Sequence, residues 1–505
     1  MVDFSTMLAG FSDALTLTNL LFVIIGVVTG QIVGAIPGIG PVMAMAIAIP
    51  FTFVLSPLAA ISLLIGINKG GLVGGAIPAI MINTPGTPDA AATALDGFPL
   101  AKQGKPLKAT KMALYASITG DTFSDIILIT VSAPLAIIAL GMGPVEVFCL
   151  MIFSFAVISG LVGDSMIKGL ISVALGFLFA TVGLDPEHST PRLFFGYFEL
   201  YDGFPLVSVA IGMLAVAEIL RRLASMQGTV LPTIVFPKNQ PKADQSISWK
   251  EYWPCRLTLL RGTAIGTVLG AIPGIGSTAA AFISYAAAKQ GSKSPETFGK
   301  GNLEGIAATE SANSAVMGAN LIPLLTLGIP GSVSAALLIS AFMIQGIQPG
   351  PLLFEEQGQL IYGLFGAMLI ANFTNLWVGL LGMRAWAKVV SAPESVIFSA
   401  AFLLCIVGVY LSTGDIFGVI IMFMFALLGF FMTAFGYSPV IFIIAFFLEP
   451  RFEISLVQTM ATLNGEWINL LDFPLGIALL GLAAFCVYWL GIRGNKKEQK
   501  ATDQN

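Results

Sequence analysis

Glycine and proline, rather than acids and bases, form the clearest chemical pattern in this chain. The segment Gly-Ala-Ile-Pro-Gly-Ile-Gly occurs at 34–40 and again at 270–276. Proline removes a backbone donor and clashes with the preceding turn, while glycine frees the backbone, so neither segment can continue a helix. The helix ends at such a break can bind ions, because amides attract an anion and carbonyls attract a cation. The candidate substrate-binding residues here are Pro37, Gly38, Gly40, Pro273, Gly274, Gly276 and Ser277.

A second pair of broken segments follows, one in each half of the chain. Residues 83–88 read Asn-Thr-Pro-Gly-Thr-Pro, and residues 326–332 read Thr-Leu-Gly-Ile-Pro-Gly-Ser. Both place hydroxyl or amide groups beside an interrupted backbone, and uncharged donors of this kind suit a carboxylate ligand that binds and is then released. A polar loop tip at the surface is the alternative interpretation. The further substrate-binding candidates are Asn83, Thr84, Pro85, Gly86, Thr87, Thr326, Gly328, Pro330, Gly331 and Ser332.

Ionisable and amide side chains within predicted spans are candidates for binding a sodium ion or a proton. Asp121 and Asp125 lie one helical turn apart on the predicted span 112–138, although a solvated helix end is the alternative. Ionisable residues inside a span are functional candidates by default. The coupling-ion candidates are Asp121, Asp125, Asn313, Asn372 and Asn375, and the only metal expected is Na⁺.

Lys69, beside Gly70-Gly71, is interpreted as a side chain that extends to the membrane interface, with pairing to a substrate carboxylate as the alternative. The chain has no G-x-x-x-x-G-K-[ST] loop and no metalloprotease helix. His188 is the single histidine and cannot build a zinc site. We therefore expect no cofactor and no enzymatic activity.

The composition predicts the elements that must position these residues. Of the 505 residues, 56% are hydrophobic and only 10% are charged, against roughly 25% charged in soluble domains. Apolar runs at 145–162, 416–435 and 474–490 approach or reach the ~20 residues that cross a bilayer. We predict an all-α polytopic membrane protein with roughly 10–12 transmembrane segments and broken or re-entrant helices. A net charge of −4 gives no indication of nucleic-acid binding.

The paired motifs predict two transport repeats, in which Pro85-Gly86-Thr87 corresponds to Pro330-Gly331-Ser332. The predicted division is an N-terminal transmembrane lead-in at 1–33, a first repeat at 34–186, a segment at 187–269 with an outer acidic loop, a linking span and a basic cytoplasmic linker, a second repeat at 270–439, C-terminal spans at 440–492 and a cytoplasmic tail at 493–505.

Loop charges predict that the two repeats have opposite orientations in the membrane. Segment 97–111 carries four lysines and no acid, whereas its counterpart 346–360 carries Glu355 and Glu356 and no basic residue. Lysine and arginine near helix ends stay on the cytoplasmic side. We therefore predict inverted-topology repeats, with the C-terminus in the cytoplasm.

The chain resembles the large integral-membrane subunit of the tripartite tricarboxylate transporters over nearly its whole length. The matching segments are Gly34–Gly40, Ile82–Pro88, Ala92–Pro99, Glu310–Asn313, Leu321–Ser332 and Gln345–Pro351. One departure is Lys69 with Ala76, where members of that family carry an aromatic residue before the Gly-Gly pair and Ser or Thr after Gly75. If that stretch contacts the substrate, the substrate need not be citrate.

The resemblance implies a secondary carrier of the bacterial inner membrane that works with a small integral-membrane subunit and a periplasmic solute-binding protein. Its substrates would be citrate-like di- and tricarboxylates, imported with a sodium or proton gradient. We expect a symporter with a midplane site between the repeats and alternating access. The alternatives are an uncoupled channel or facilitator, an intramembrane enzyme using Asp121 and Asp125, and a membrane subunit that does not transport.

Overall fold

The computed structural model of this protein is almost wholly helical, and it describes residues 4–38, 40–162, 165–225, 241, 244–389 and 394–502. The first helices are α1 (Phe4–Ala14), α2 (Leu17–Gly34), α3 (Pro41–Ala48), α4 (Pro57–Ile82), α5 (Ala90–Lys102), α6 (Pro106–Leu140), α7 (Pro144–Val162) and α8 (Met166–Ala180). Two short antiparallel strands follow, β1 (Gly183–Leu184) and β2 (Pro191–Arg192).

The chain then continues through α9 (Leu206–Ala210), a π-helical turn (Ile211–Val216), α10 (Ala217–Ser225) and α11 (Trp249–Tyr252). Next come α12 (Arg256–Gly270), α13 (Gly276–Gly291), α14 (Leu303–Ala319), α15 (Leu321–Leu327), α16 (Val333–Ile344) and α17 (Leu353–Glu356). The last helices are α18 (Gly358–Val389), α19 (Glu394–Thr413), α20 (Ile416–Ala434), α21 (Pro439–Thr462) and α22 (Pro474–Thr502). Most of the predicted basic linker lies outside the described residues.

Long apolar helices confirm the prediction of an all-α polytopic membrane protein. Within the described residues, five helices have the length and composition to cross a bilayer: Leu17–Gly34, Pro57–Ile82, Pro106–Leu140, Gly358–Trp386 and Ile416–Ala434. Shorter apolar helices of 10–17 residues accompany them. Pro57–Ile82 differs from the others because 94% of its apolar window is buried inside the protein. A span so enclosed contacts protein rather than lipid along nearly its whole length.

The two halves share one succession of elements around their broken segments. A helix ends at Gly34 or Gly270, and a second begins at Pro41 or Gly276. A helix then leads to a proline-glycine tip, with a left-handed residue at its C-terminal end, Asn83 in one half (φ 56°) and Gly328 in the other (φ 72°). The broken helices are therefore present in both halves, and the inverted orientation of the repeats stays a prediction.

Backbone contact clustering divides the chain into two compact units. The first comprises Met1–Pro134 and Met226–Ala401. In it α2 packs against α4 at unusually short range, because a Cβ added at Gly30 would lie 2.3 Å from the Ile67 carbonyl oxygen. A Cβ at Gly34 would lie 2.2 Å from the Gly71 carbonyl oxygen. Small residues at four-residue spacing are how membrane helices approach closely.

The second unit comprises Leu135–Ser225 and Phe402–Asn505. Its helices α8 and α21 meet at Gly176, where an added Cβ would lie 2.5 Å from the Phe442 carbonyl oxygen. Aromatic rings fill the space beside this contact. The Phe179 ring lies 5.3 Å from that of Phe425 and 5.7 Å from that of Phe442, centroid to centroid, both edge-on. Such pairs contribute packing energy beyond their buried area.

One arginine in the second unit links the acidic loop between α8 and α9 to α21. Arg192 binds the carboxylate of Asp185 and, at 2.7 Å, that of Glu453. The backbone amide of Glu187 and the guanidinium of Arg192 together hold the pKa of Asp185 well below its usual range. Asp185 therefore stays charged at any physiological pH, and the loop between α8 and α9 is tied to α21.

We predict that Gly30→Ala destabilises the protein, because the added methyl group meets the Ile67 carbonyl and forces α2 away from α4. Overpacking of this kind costs about 1–3 kcal/mol. Thermal unfolding of the purified protein in detergent measures the effect. Gly481→Ala in α22 is the matched control, because an added Cβ there has no neighbour within 4 Å in the described structure. Equal melting temperatures for the two variants would contradict the close α2–α4 packing.

Candidate functional site

The first break and the first tip meet in the structure. Gly38 adopts a left-handed φ of 84° between α2 and α3. The amide of Gly86 in the tip donates to the Gly75 carbonyl oxygen of α4 at 3.2 Å. An added Cβ at Gly86 would lie 2.3 Å from the Gly34 carbonyl oxygen, at the end of α2. The tip can therefore pack this closely only with glycine at 86.

The second break and the second tip meet in an equivalent way. Gly274, with φ 88°, donates its amide to the Gly331 carbonyl oxygen at 3.0 Å. Ser332 caps α16 by accepting from the Ala335 amide at 3.2 Å, and it also accepts from Asn320 Nδ2 at 2.8 Å. Each half thus joins its broken helix to its own tip through glycine backbone.

Buried polar atoms without hydrogen bonds lie at the end of the first tip. Three of the residues here are almost fully buried: Thr87 is 3% exposed, Asp89 is 4% exposed and Asn313 is 1% exposed. The Asp89 carboxylate faces the other two side chains. However, Thr87 Oγ1, Asp89 Oδ2 and both amide atoms of Asn313 form no hydrogen bond within the described part of the chain. Native proteins rarely leave such groups unpaired, because each costs about 1–3 kcal/mol, so a bound ion or an ordered water would stabilise this cluster.

Glu310 extends the same polar cluster one turn along α14. Its carboxylate accepts hydrogen bonds from Thr93 at 2.5 Å and from Ser117 at 2.7 Å. It lies near enough to Asp89 for the two carboxyl groups to repel each other when both are ionised. The cluster therefore contains two carboxyl groups and further oxygen atoms, which favours the binding of a cation or a proton.

Lys69 lies at the centre of a second buried cluster. Its Nζ donates to Asp121 Oδ1 at 2.9 Å, to Asp125 Oδ2 at 2.8 Å and to Asn372 Oδ1 at 2.8 Å. The side-chain amide of Asn375 donates to the Lys69 carbonyl oxygen at 3.1 Å. The structure therefore gathers four of the five coupling-ion candidates around Lys69, three at its ammonium and Asn375 at its backbone, while Asn313 belongs to the cluster beside the first tip.

The interpretation of Lys69 as a side chain that reaches the membrane interface is wrong. The side chain is only 2% exposed, and its partners Asp121 and Asp125 are 2% and 0% exposed. The solvated-helix-end alternative for this aspartate pair also fails, since α6 begins several turns earlier, at Pro106. Gly70 and Gly71 bring α4 into close contact with Val27 and Pro41, and Lys69 is buried beside them.

The other substrate-binding candidates lie at or next to these breaks and tips. Pro37 and Gly40 flank the first break, and Pro273, Gly276 and Ser277 flank the second. Asn83 ends α4, and the Thr84 hydroxyl lies 3.4 Å from the Ile82 carbonyl oxygen. Thr326 donates to the Ile322 carbonyl within its own helix at 2.7 Å. The remaining members of the two tips are Pro85, Gly328 and Pro330.

Asp89 and Glu310 are the residues that sequence reasoning left out of the candidate site. Asp89 follows Thr87 by two positions, directly before α5, where an aspartate normally caps the helix. Its side chain makes no cap hydrogen bond here. Extending the motif at 83–88 by one residue would have included Asp89. Among the described residues, no group of three His, Cys, Asp or Glu could hold a metal ion.

Comparison with known proteins gives one family and two relatives. Residues 20–444 match the family described as the tripartite tricarboxylate transporter TctA family. A protein of Agrobacterium vitis, described as an uncharacterised 52.8 kDa protein in the TAR-I ttuC′ 3′ region, is 34% identical over 493 residues, which cover 96% of this chain and 95% of that protein. Another from the same organism, described as an uncharacterised protein in the TAR-II ttuC′ 3′ region, is 35% identical over 222 residues, 44% of this chain and 92% of its own length. No solved structure matches the chain.

Proposed function

Because the chain belongs to the tripartite tricarboxylate transporter TctA family, we propose that it is the large membrane subunit of a symporter that imports organic di- and tricarboxylates. The family consists of transporter components, so the chain is a component of a membrane transporter and not an enzyme. Beyond family membership, we propose that transport is inward, that the substrate is a carboxylate and that transport is coupled to a sodium or proton gradient.

The observation that carries the proposal is the pairing of each broken helix with a glycine tip. Helices α5 and α16 begin directly after the two tips, at Ala90 and Val333, and α3 and α13 begin directly after the two breaks. The first amides of a helix have no partner within the helix and carry positive partial charge. Four such helix starts next to the broken segments suit a small ligand that carries more than one carboxylate.

The coupling cation is proposed to bind beside the first tip. Thr87 Oγ1, Asp89 Oδ2 and Asn313 Oδ1 are a hydroxyl, a carboxylate and an amide oxygen, and none of these three atoms forms a hydrogen bond in the described structure. Hard cations prefer oxygen ligands of this kind. A sodium ion there would neutralise Asp89 next to an anionic substrate, so each ligand would favour binding of the other. If the gradient is one of protons, the Asp89 carboxylate would hold the proton instead.

The proposed cycle is alternating access by inverted repeats about a midplane site. A periplasmic solute-binding protein would deliver the substrate, and a small integral-membrane subunit would complete the complex in the bacterial inner membrane, with the C-terminus of this chain in the cytoplasm. The repeated order of broken helix, tip and following helix supports this arrangement.

The test is uptake of labelled citrate and other carboxylates into proteoliposomes that hold this chain and its small partner. It is run with and without an inward sodium or proton gradient, and with and without the binding protein. We expect accumulation that needs both the gradient and the binding protein. Equilibration that needs neither indicates a facilitator, and absence of flux for every substrate overturns the transport proposal.

We predict that Pro85→Ala combined with Gly86→Ala abolishes uptake while membrane insertion is retained. The new methyl group at 86 meets the Gly34 carbonyl and separates the tip from the broken helix. Uptake and the yield of folded protein are measured together. Gly141→Ala is the control, because an added Cβ there has its nearest neighbour at 3.3 Å, within its own helix end. Normal uptake by the double variant would move the substrate site elsewhere.

We predict that Asp89→Asn raises the cation concentration needed for half-maximal uptake, while the variant still folds. Loss of one charged ligand costs about 1.5–3 kcal/mol, which corresponds to a rise of roughly tenfold to a hundredfold in the cation concentration for half-maximal uptake. The measurement is uptake as a function of sodium concentration and of pH. Asp202→Asn, at an exposed position in the second unit, is the matched control. An unchanged cation dependence would contradict the cation site at Asp89.

A further inference from the structure

The three oxygen atoms around Lys69 match the donors of an ammonium one for one. They come from two carboxylates and an amide, Asp121, Asp125 and Asn372, at distances of 2.8–2.9 Å. An ammonium has three N–H donors and no acceptor, so all three donors are satisfied. These ligands are also the hard oxygens that bind an alkali-metal cation. The cluster therefore has the composition of a monovalent-cation site whose cation is part of the chain.

Contacts that do not involve the ammonium hold this oxygen cage in place. Asn372 Nδ2 donates to Asp125 Oδ2 at 2.7 Å. Asn375 donates to the Lys69 backbone, and Gln31 donates to the Asn375 carbonyl oxygen at 3.0 Å. Three helices besides α4 thus fix the ligands, and removal of the lysine side chain leaves their supports intact.

The cage is sealed from the surroundings. The side chains of Lys69, Asp121 and Asp125 are at most 2% exposed. An added Cβ at Gly70 would lie 2.4 Å from the Val27 carbonyl oxygen, so the backbone at position 69 has no room to move outward. An isolated charge in such a position is costly, so a cation beside the two carboxylates stabilises them.

We propose that Lys69 is a tethered cation that permanently occupies an internal monovalent-cation site formed by Asp121, Asp125 and Asn372. The site consequently takes no ion from solution in this protein, and it is separate from the transported cation proposed at Asp89. Asp125 Oδ1, which has no partner in the described residues, is a further oxygen available to a free ion if the tether is removed.

The test is cation rescue of Lys69→Ala, measured by thermal unfolding of the purified full chain in detergent. Melting temperatures are compared in choline, sodium, potassium and propylammonium chloride at equal ionic strength. The variant should melt well below the wild type in choline, whose quaternary ammonium cannot donate hydrogen bonds. Sodium or propylammonium should raise its melting temperature by about 3 °C or more beyond any rise in the wild type, as expected for saturation of one ion site.

A matched triple variant, Lys69→Ala with Asp121→Asn and Asp125→Asn, removes the charges of the cage and should respond to these cations no more than the wild type does. If Lys69→Ala alone does not fold, Lys69→Ala with Asp121→Asn retains one carboxylate and should still show the additional rise in sodium. Equal responses of this double variant and the triple variant would overturn the proposal, and so would a Lys69→Ala protein that is destabilised but insensitive to every cation. The readout is stability alone, so failure of the transport proposal leaves this result unaffected.

Discussion

A helix that breaks inside a bilayer exposes amides and carbonyls for which lipid offers no hydrogen bond. This protein satisfies one such amide in each half with a carbonyl oxygen of its own backbone. Gly86 bonds to Gly75 in one half, and Gly274 bonds to Gly331 in the other. The Gly86 contact requires the two backbones to approach more closely than a side chain would allow, because an added Cβ there would lie 2.8 Å from the Gly75 Cα. The paired glycine motifs follow from this need, because a break without a nearby partner would not persist in the membrane.

The same close approach determines where the polar clusters lie. Because α2 packs against α4 through glycine, side chains in the middle of α4 are held away from water and lipid. Lys69 is therefore buried with its partners on α6. Beyond the C-terminal end of α4, Thr87 and Asp89 are buried together with Asn313 on α14. Burial gives these polar groups strong interactions, and it also makes each unpaired one costly.

The sequence predicted the broken helices and their tips correctly, because proline and glycine act locally on the backbone. It also predicted that Asp121 and Asp125 share one helix face, because they are four residues apart. The position of Lys69 could not be predicted in this way. Whether a lysine extends to an interface or meets two aspartates depends on which helices pack around it, and here those contacts join residues more than fifty positions apart. Asp89 was missed for a different reason, since a residue before a helix is normally a cap.

The two acidic clusters differ in one respect that matters for transport. The aspartates at 121 and 125 face a cation that is covalently attached and therefore cannot leave the protein. Asp89 has no cation beside it among the described residues, and the oxygen atoms around it are unpaired. A transported ion must be able to leave its site, and its departure must leave polar groups there without a partner. On the proposed mechanism only the cluster at the tip meets both conditions, because its charge is balanced solely when an ion from solution is bound.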